Sequence, residues 1–146
     1  MDTVAQILKR KGHHIWSVSP DTSVLDATRL IAEKNIGAVL VIDGGHVKGI
    51  FSERDLARRV VVEGLDPATT PVSKVMTPQV LCIDPKATAE EVLAVMTEKR
   101  LRHLPVREGD KLLGVVSIGD AVKSIIEHHQ FTIQQLVNYI TGAETL

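Results

Sequence analysis

Apolar and polar positions along the 146-residue chain change period several times, and each change marks an element. In "SVLDATRLIAEKN" (23–35), Val24, Ala27, Leu30 and Ile31 recur at three- and four-residue spacing, which puts them on one face of a helix. "TAEEVLAVMTEKR" (88–100) repeats the pattern with Val92, Val95 and Met96. A Ser or Thr able to cap opens each helix, and each follows a strand-like run, "IWSVS" or "VLCID", and a turn holding a proline. The apolar runs "GAVLVID" and "HLPVRE" lead through turns at Gly44-Gly45 and Gly109-Asp110 into "HVKGIFS" and "KLLGVVS", which predicts two hairpins. Short helical stretches, "VAQIL" and "VSKVM", stand ahead of the two sets.

The sets are copies. "GIFSERD" reappears as "GVVSIGD", so that Gly49 falls on Gly114, Ser52 on Ser117 and Asp55 on Asp120, a constant offset of 65 residues. The same shift lays Pro20 on Pro85, Val41 on Val106 and Gly44 on Gly109, with no gap from Val18 to Asp55. Helix, strand, helix, strand, strand, helix is therefore written twice. The expected domains are residues 1–66 and 67–128, with "EGLDPATTP" (63–71) as the linker and 129–146 as a further amphipathic helix.

In both copies a strand turns into a helix at a Ser-x-x-Asp corner. Ser and Asp are favoured helix caps, and capping alone accounts for either residue taken singly. The duplication adds a second reading. A helix N-terminus attracts anions through its N–H groups and dipole, Ser52 and Ser117 supply hydroxyl donors, and Asp55 and Asp120 are acceptors suited to the paired hydroxyls of a ribose. Gly49 and Gly114, lacking a side chain, admit a planar ring or a neighbouring backbone, or else mark a strand bend.

With its "MTP", "RHLPV" and "GVVSIGD" elements, the duplicated unit resembles a tandem pair of cystathionine-beta-synthase (CBS) domains, the Bateman module, from about Thr3 to His128. The resemblance implies an α+β (α/β) fold: two repeats, each a small three-stranded sheet with flanking helices, packed with pseudo-twofold symmetry. It also implies clefts that take adenosine-containing ligands: AMP foremost, ADP, ATP or NAD, and alternatively S-adenosylmethionine. Gly49, Ser52 and Asp55, then Gly114, Ser117 and Asp120, match the family's ligand motif. Val18, Ile36, Gly37 and Ala38, with Val80 and Leu81 in the second copy, would frame adenine. Arg102 and His103, next to Leu104 and Pro105, match positions that meet phosphate, and Arg54 is a further cation for it. The first copy has Gly37-Ala38 where the second has Arg102-His103, so the two sites should differ in their phosphate contacts.

Composition narrows the alternatives. Aromatics are 3% of residues, against 44% hydrophobic, so the core must be aliphatic and base stacking on aromatic platforms is not expected. A net charge of −1 gives no general pull towards nucleic acid or anionic membrane, although "RLRH" and "ERDLARR" are small basic patches. No apolar run approaches the roughly 20 residues that span a bilayer, no signal peptide is visible, and the expected compartment is the cytoplasm. Cys82 is the single cysteine, and the six histidines form no zinc-type pairs, so neither a disulfide nor a metal is expected. No nucleophile–base pair or metal-binding acidic cluster accompanies the corners, which favours a ligand sensor without catalytic cofactor over a nucleotide hydrolase. In "FTIQQLVNYITG", Phe131, Ile133, Leu136, Val137 and Ile140 share a helical face, which points to homodimerisation or docking on the chain's own core, and the output of such a sensor would go to an unidentified regulated protein.

Overall fold

The computed structural model describes residues 2–139, the side chains of residues 131, 132 and 139 excepted. The chain forms two compact units. One comprises residues 14–81; the other joins the segment up to His13 to the chain from Cys82 onward.

In the 14–81 unit, β1 (Ser17–Val18) pairs in parallel with β2 (Ala38–Asp43), which pairs antiparallel with β3 (His46–Ser52). Gly44 and Gly45, at φ 58° and 79°, make the two-residue hairpin turn that only left-handed backbone can close. Helix α2 (Val24–Lys34) begins at Ser23, whose hydroxyl accepts from the Asp26 N–H at 3.0 Å, and ends at left-handed Asn35. Its Val24, Ala27 and Ile31 pack on Val39, Val41 and Phe51 of the sheet together with Val60, Val72 and Val75, while Leu30 is partly buried at the margin. After Ser52 the helix α3 (Glu53–Asp55) widens into a π-helical stretch, Leu56–Val61. The 63–71 segment is fastened rather than loose: Val24 N–H donates to Thr70 O, Leu25 N–H to Pro67 O and Val72 N–H to Thr22 O, at 2.7 to 3.0 Å.

The other unit is built on the hairpin β4 (His103–Glu108) and β5 (Lys111–Ser117), covered by α4 (Ala89–Lys99) and α5 (Ile118–His128). Its core gathers Val92 and Met96 with Leu104, Val106, Val116 and Ala121. The third strand of this sheet contracts to one parallel bridge, Ile83 with Val106, held by Ile83 N–H to Pro105 O (2.8 Å) and Arg107 N–H to Ile83 O (3.0 Å). The strand stops there because Asp84 turns the chain at once, its carboxylate accepting from the Lys86 N–H. Cys82, expected in that strand, is half-buried ahead of it. A register shift follows Val41 in the first hairpin and Val106 in the second, so even the bulge is duplicated.

Each repeat's leading segment packs on the other repeat's hairpin. Helix α1 (Val4–Lys11), at the head of the first copy, buries Val4, Ile7 and Leu8 in the unit that holds the second hairpin, with Val4 N–H on Ala87 O and Ala5 N–H on Pro85 O. The short 3-10 helix Val72–Lys74 and the residues after it, at the head of the second copy, pack on the first hairpin, where Ile50 and Thr77 exchange both backbone hydrogen bonds. The boundaries expected from the sequence fall at 66 and 128, whereas packing is partitioned after His13 and Leu81. Helix α6 (Gln130–Tyr139) closes the described chain with Leu136 and Val137 exposed; the Phe131 side chain and Ile140 lie outside the described residues. Among the described residues no helix is long and apolar enough to cross a membrane.

Candidate functional site: two serine–aspartate corners

Both corners are complete capping boxes. At the first, the Ser52 hydroxyl accepts from the Asp55 N–H at 3.3 Å, while Asp55 Oδ2 accepts from the Ser52 N–H at 2.9 Å and the Ser52 hydroxyl at 3.1 Å. At the second, the Ser117 hydroxyl accepts from the Asp120 N–H at 3.1 Å and Asp120 Oδ2 from the Ser117 N–H at 2.8 Å. A further amide is used at each start: Glu53 N–H donates to Gly37 O and Ile118 N–H to Arg102 O. The supply of open N–H groups expected from a bare helix end is therefore largely consumed by the protein, and side chains must do more of any anion binding.

Strand register brings the predicted neighbours to these corners. Ala38 stands opposite Ser52, and Ile36 and Gly37 immediately precede it. Val18 lies on the adjacent strand opposite Val41, half-buried. His103 stands opposite Ser117, with exposed Arg102 before it. Leu104 and Pro105 are buried, and Leu104 belongs to the core. Val80 and Leu81 close the 14–81 unit, Leu81 exposed and Val80 half-buried. Arg54, in the first turn of α3, is half-buried.

The conserved spacing of the glycines has a packing cause. A Cβ on Gly49 would sit 2.6 Å from Met76 Sδ and 2.8 Å from Thr77 O, and one on Gly114 would sit 3.0 Å from a Leu8 methyl. Each glycine thus admits the leading segment exchanged from the other repeat: Gly49 is approached by the Thr77 backbone carbonyl, Gly114 by the Leu8 side chain.

The carboxylates have different company, from residues the sequence reading did not single out. Asp55, 6% exposed, receives the Thr77 hydroxyl at 3.3 Å on its other oxygen and lies 3.7 Å from Arg59 Nε; Arg59 also donates to Met76 O at 3.0 Å. Asp120 is more open and is met by Lys11, the last residue of α1, whose ammonium also donates to Val115 O at 2.8 Å. Arg59 had a signal, since it stands one helical turn from Asp55. Thr77 stood within "MTP" but nothing there tied it to Asp55, and Lys11 had no signal, because both arrive on exchanged segments.

His103 is the titrating group of the second corner. Burial first, then the charges of Lys11 and Arg102, hold its imidazole below the ordinary 6.5, against an opposing pull from Asp120. It is therefore a neutral hydrogen-bonding ring near neutral pH rather than a fixed cation for phosphate. Among the described residues no cluster of three or more His, Cys, Asp or Glu side chains is placed to hold a metal.

A sheet-and-helix unit written twice, with the same hydroxyl and carboxylate at each strand–helix corner, defines a duplicated binding module. The chain belongs to the CBS domain family: the family's model matches residues 4–62 and again 72–127. It is a CBS domain pair, a class of regulatory, ligand-binding modules. It is 32% identical over 96% of its length to the CBS domain-containing protein CBSX3, mitochondrial, of Arabidopsis thaliana, covering 72% of that protein. A solved CBS-domain structure from Burkholderia ambifaria superposes with a TM-score of 0.84 at 48% identity, over 86% of this chain and 95% of that one. The fold is shared, at 18% identity and a TM-score of 0.76, with the CBS domain pair of protein MJ0100, solved in complex with 5'-methylthioadenosine and S-adenosyl-L-methionine; 88% of this chain and 98% of that one are covered.

Proposed function

We propose that this CBS pair senses an adenine nucleotide, AMP foremost and ADP, ATP or NAD in its place, and reports occupancy by a change of conformation rather than by catalysis. The observation that carries the reading is the pairing of hydroxyl and carboxylate at both corners, in the same strand register. Ribose hydroxyls are matched by the carboxylates and phosphate by the serine hydroxyls together with Arg54 at one corner and Arg102 at the other. The adenosine compounds bound by MJ0100 support adenosine as the common element, and they favour S-adenosylmethionine as the second reading. Calorimetric titration with AMP, ATP, NAD and S-adenosylmethionine tests it. AMP or another adenine nucleotide should bind, with Asp120→Ala weakening it by about 1–3 kcal/mol through the loss of hydrogen bonds to a charged acceptor. Absence of binding by all four compounds would sink the proposal.

The sensor has a surface through which to act on a second copy of itself. Ile118, Val122 and Ile126 recur every fourth residue along α5 and are each 40–42% exposed, which makes a continuous apolar stripe. An isologous homodimer covers such a stripe with its own equivalent.

A further inference from the structure

We infer that Lys11 makes the second corner selective for ligands that carry a phosphate, by holding Asp120 until an anion draws the ammonium away. This rests on the adenosine-sensing reading above and names the class of ligand that the Asp120 corner accepts.

The ammonium of Lys11 bonds Asp120 Oδ2 and the Val115 carbonyl, so a ribose whose paired hydroxyls take both carboxylate oxygens must compete with it for Oδ2. Lys11 is 37% exposed and ends its helix, and Gly12 follows at φ 106°, a conformation L side chains rarely adopt, with open space around it. The lysine can therefore swing without disturbing the buried residues of α1. A depression of about 240 Å³ between α1 and α5 adjoins it, lined by Ile7, Arg10, Lys11, Asp120, Lys123 and Glu127. Of its other cations, Arg10 is bound to Asp2 at 2.6 Å and Lys123 faces Glu127 at 4.0 Å, which leaves Lys11 as the one cation in the depression tied to the corner itself. The first corner is built differently: its cation, Arg59, comes from the same helix as Asp55, lies 3.7 Å from it and is anchored on the Met76 carbonyl, while the Thr77 hydroxyl holds the same carboxylate oxygen.

A neutral nucleoside that grips both oxygens of Asp120 must displace Lys11 from Oδ2 and leaves the ammonium nothing in return. A nucleoside phosphate exchanges partners: the ribose takes Asp120, and the displaced ammonium takes the phosphate. A sulfonium such as that of S-adenosylmethionine meets a like charge there. The corner thus discriminates by what the ligand offers the lysine, in addition to what it offers the aspartate.

Titration of adenosine, AMP and S-adenosylmethionine into the wild type, Lys11→Met and Lys11→Arg, with the amide resonances of Ser117 and Asp120 reporting which corner responds, tests the inference. The wild type should favour AMP over adenosine by about tenfold or more, the equivalent of one charge-assisted hydrogen bond. Lys11→Met should close most of that gap, partly by tightening adenosine, and Lys11→Arg should keep it. Equal binding of adenosine and AMP by the wild type, or an unchanged ratio in Lys11→Met, overturns the role of Lys11 while leaving adenosine sensing intact. If none of the three compounds binds, and ATP and NAD fail as well, the sensor reading itself fails, and the inference with it; if only ATP or NAD binds, the same comparison against adenosine is made with that nucleotide.

Discussion

Gly49 and Asp55 show how closely capping and packing are superimposed in a few residues. Gly49→Ala drives a methyl into the Met76 sulfur and the fixed Thr77 carbonyl, and should cost about 1–3 kcal/mol in chemical denaturation. Gly114→Ala meets only rotatable Leu8 methyls and should cost less. Asp55→Ala leaves the Ser52 amide and the Thr77 hydroxyl without their acceptor and Arg59 without its counter-charge, so its first effect should be a loss of about 1–3 kcal/mol of stability; Asp120→Ala should show chiefly in binding. His103 titrates in the opposite sense to a paired histidine. Its folded pKa lies below 6.5, so the unfolded chain takes up a proton that the native state resists, and stability should fall as pH drops below about 6.5. Urea midpoints measured at pH 7.5 and 5.5 should differ in the wild type by more than in His103→Gln, with Lys11, Arg102 and Asp120 as the charges that face the ring.

Helices and strands followed their local signals wherever local signals suffice. The helices expected over 23–35 and 88–100 form as Val24–Lys34 and Ala89–Lys99, each between a hydroxyl cap and a left-handed last residue, Asn35 or Arg100. Thr88→Ala removes a hydrogen bond to the Glu91 N–H and should lower stability by about 1 kcal/mol, measured as a shift in the urea midpoint. Matching sequence did not guarantee matching elements. The two first strands shrink to two residues and to one bridge, because the chain reaches its Pro-containing turn almost at once. The helices after the corners also diverge, one widening to π geometry and the other continuing as a regular α-helix for eleven residues.

For the whole molecule, the exposed stripe on α5 sets the prediction. A charge at its centre, Val122→Glu, should be neutral to the fold, since the side chain is outside the core, and should convert a homodimer to a monomer in light scattering. A monomeric wild type at micromolar concentration would remove the dimer from the proposal.

The sequence by itself determined the repeat, the hairpins, the caps and the chemistry at the corners, because each is carried by neighbours within a few residues or by a constant offset. Ser52 with Asp55, and Ser117 with Asp120, could be read as caps and as a proposed site before any fold was known, and the caps are formed. Only the tertiary structure decided which segment meets which corner. Lys11 reaches Asp120 from more than a hundred residues away, and Thr77 reaches Asp55 from the head of the other repeat. Burial did the rest, lowering the pKa of the His103 imidazole below its ordinary value. Such contacts depend on which apolar faces find one another, and no local pattern records that choice.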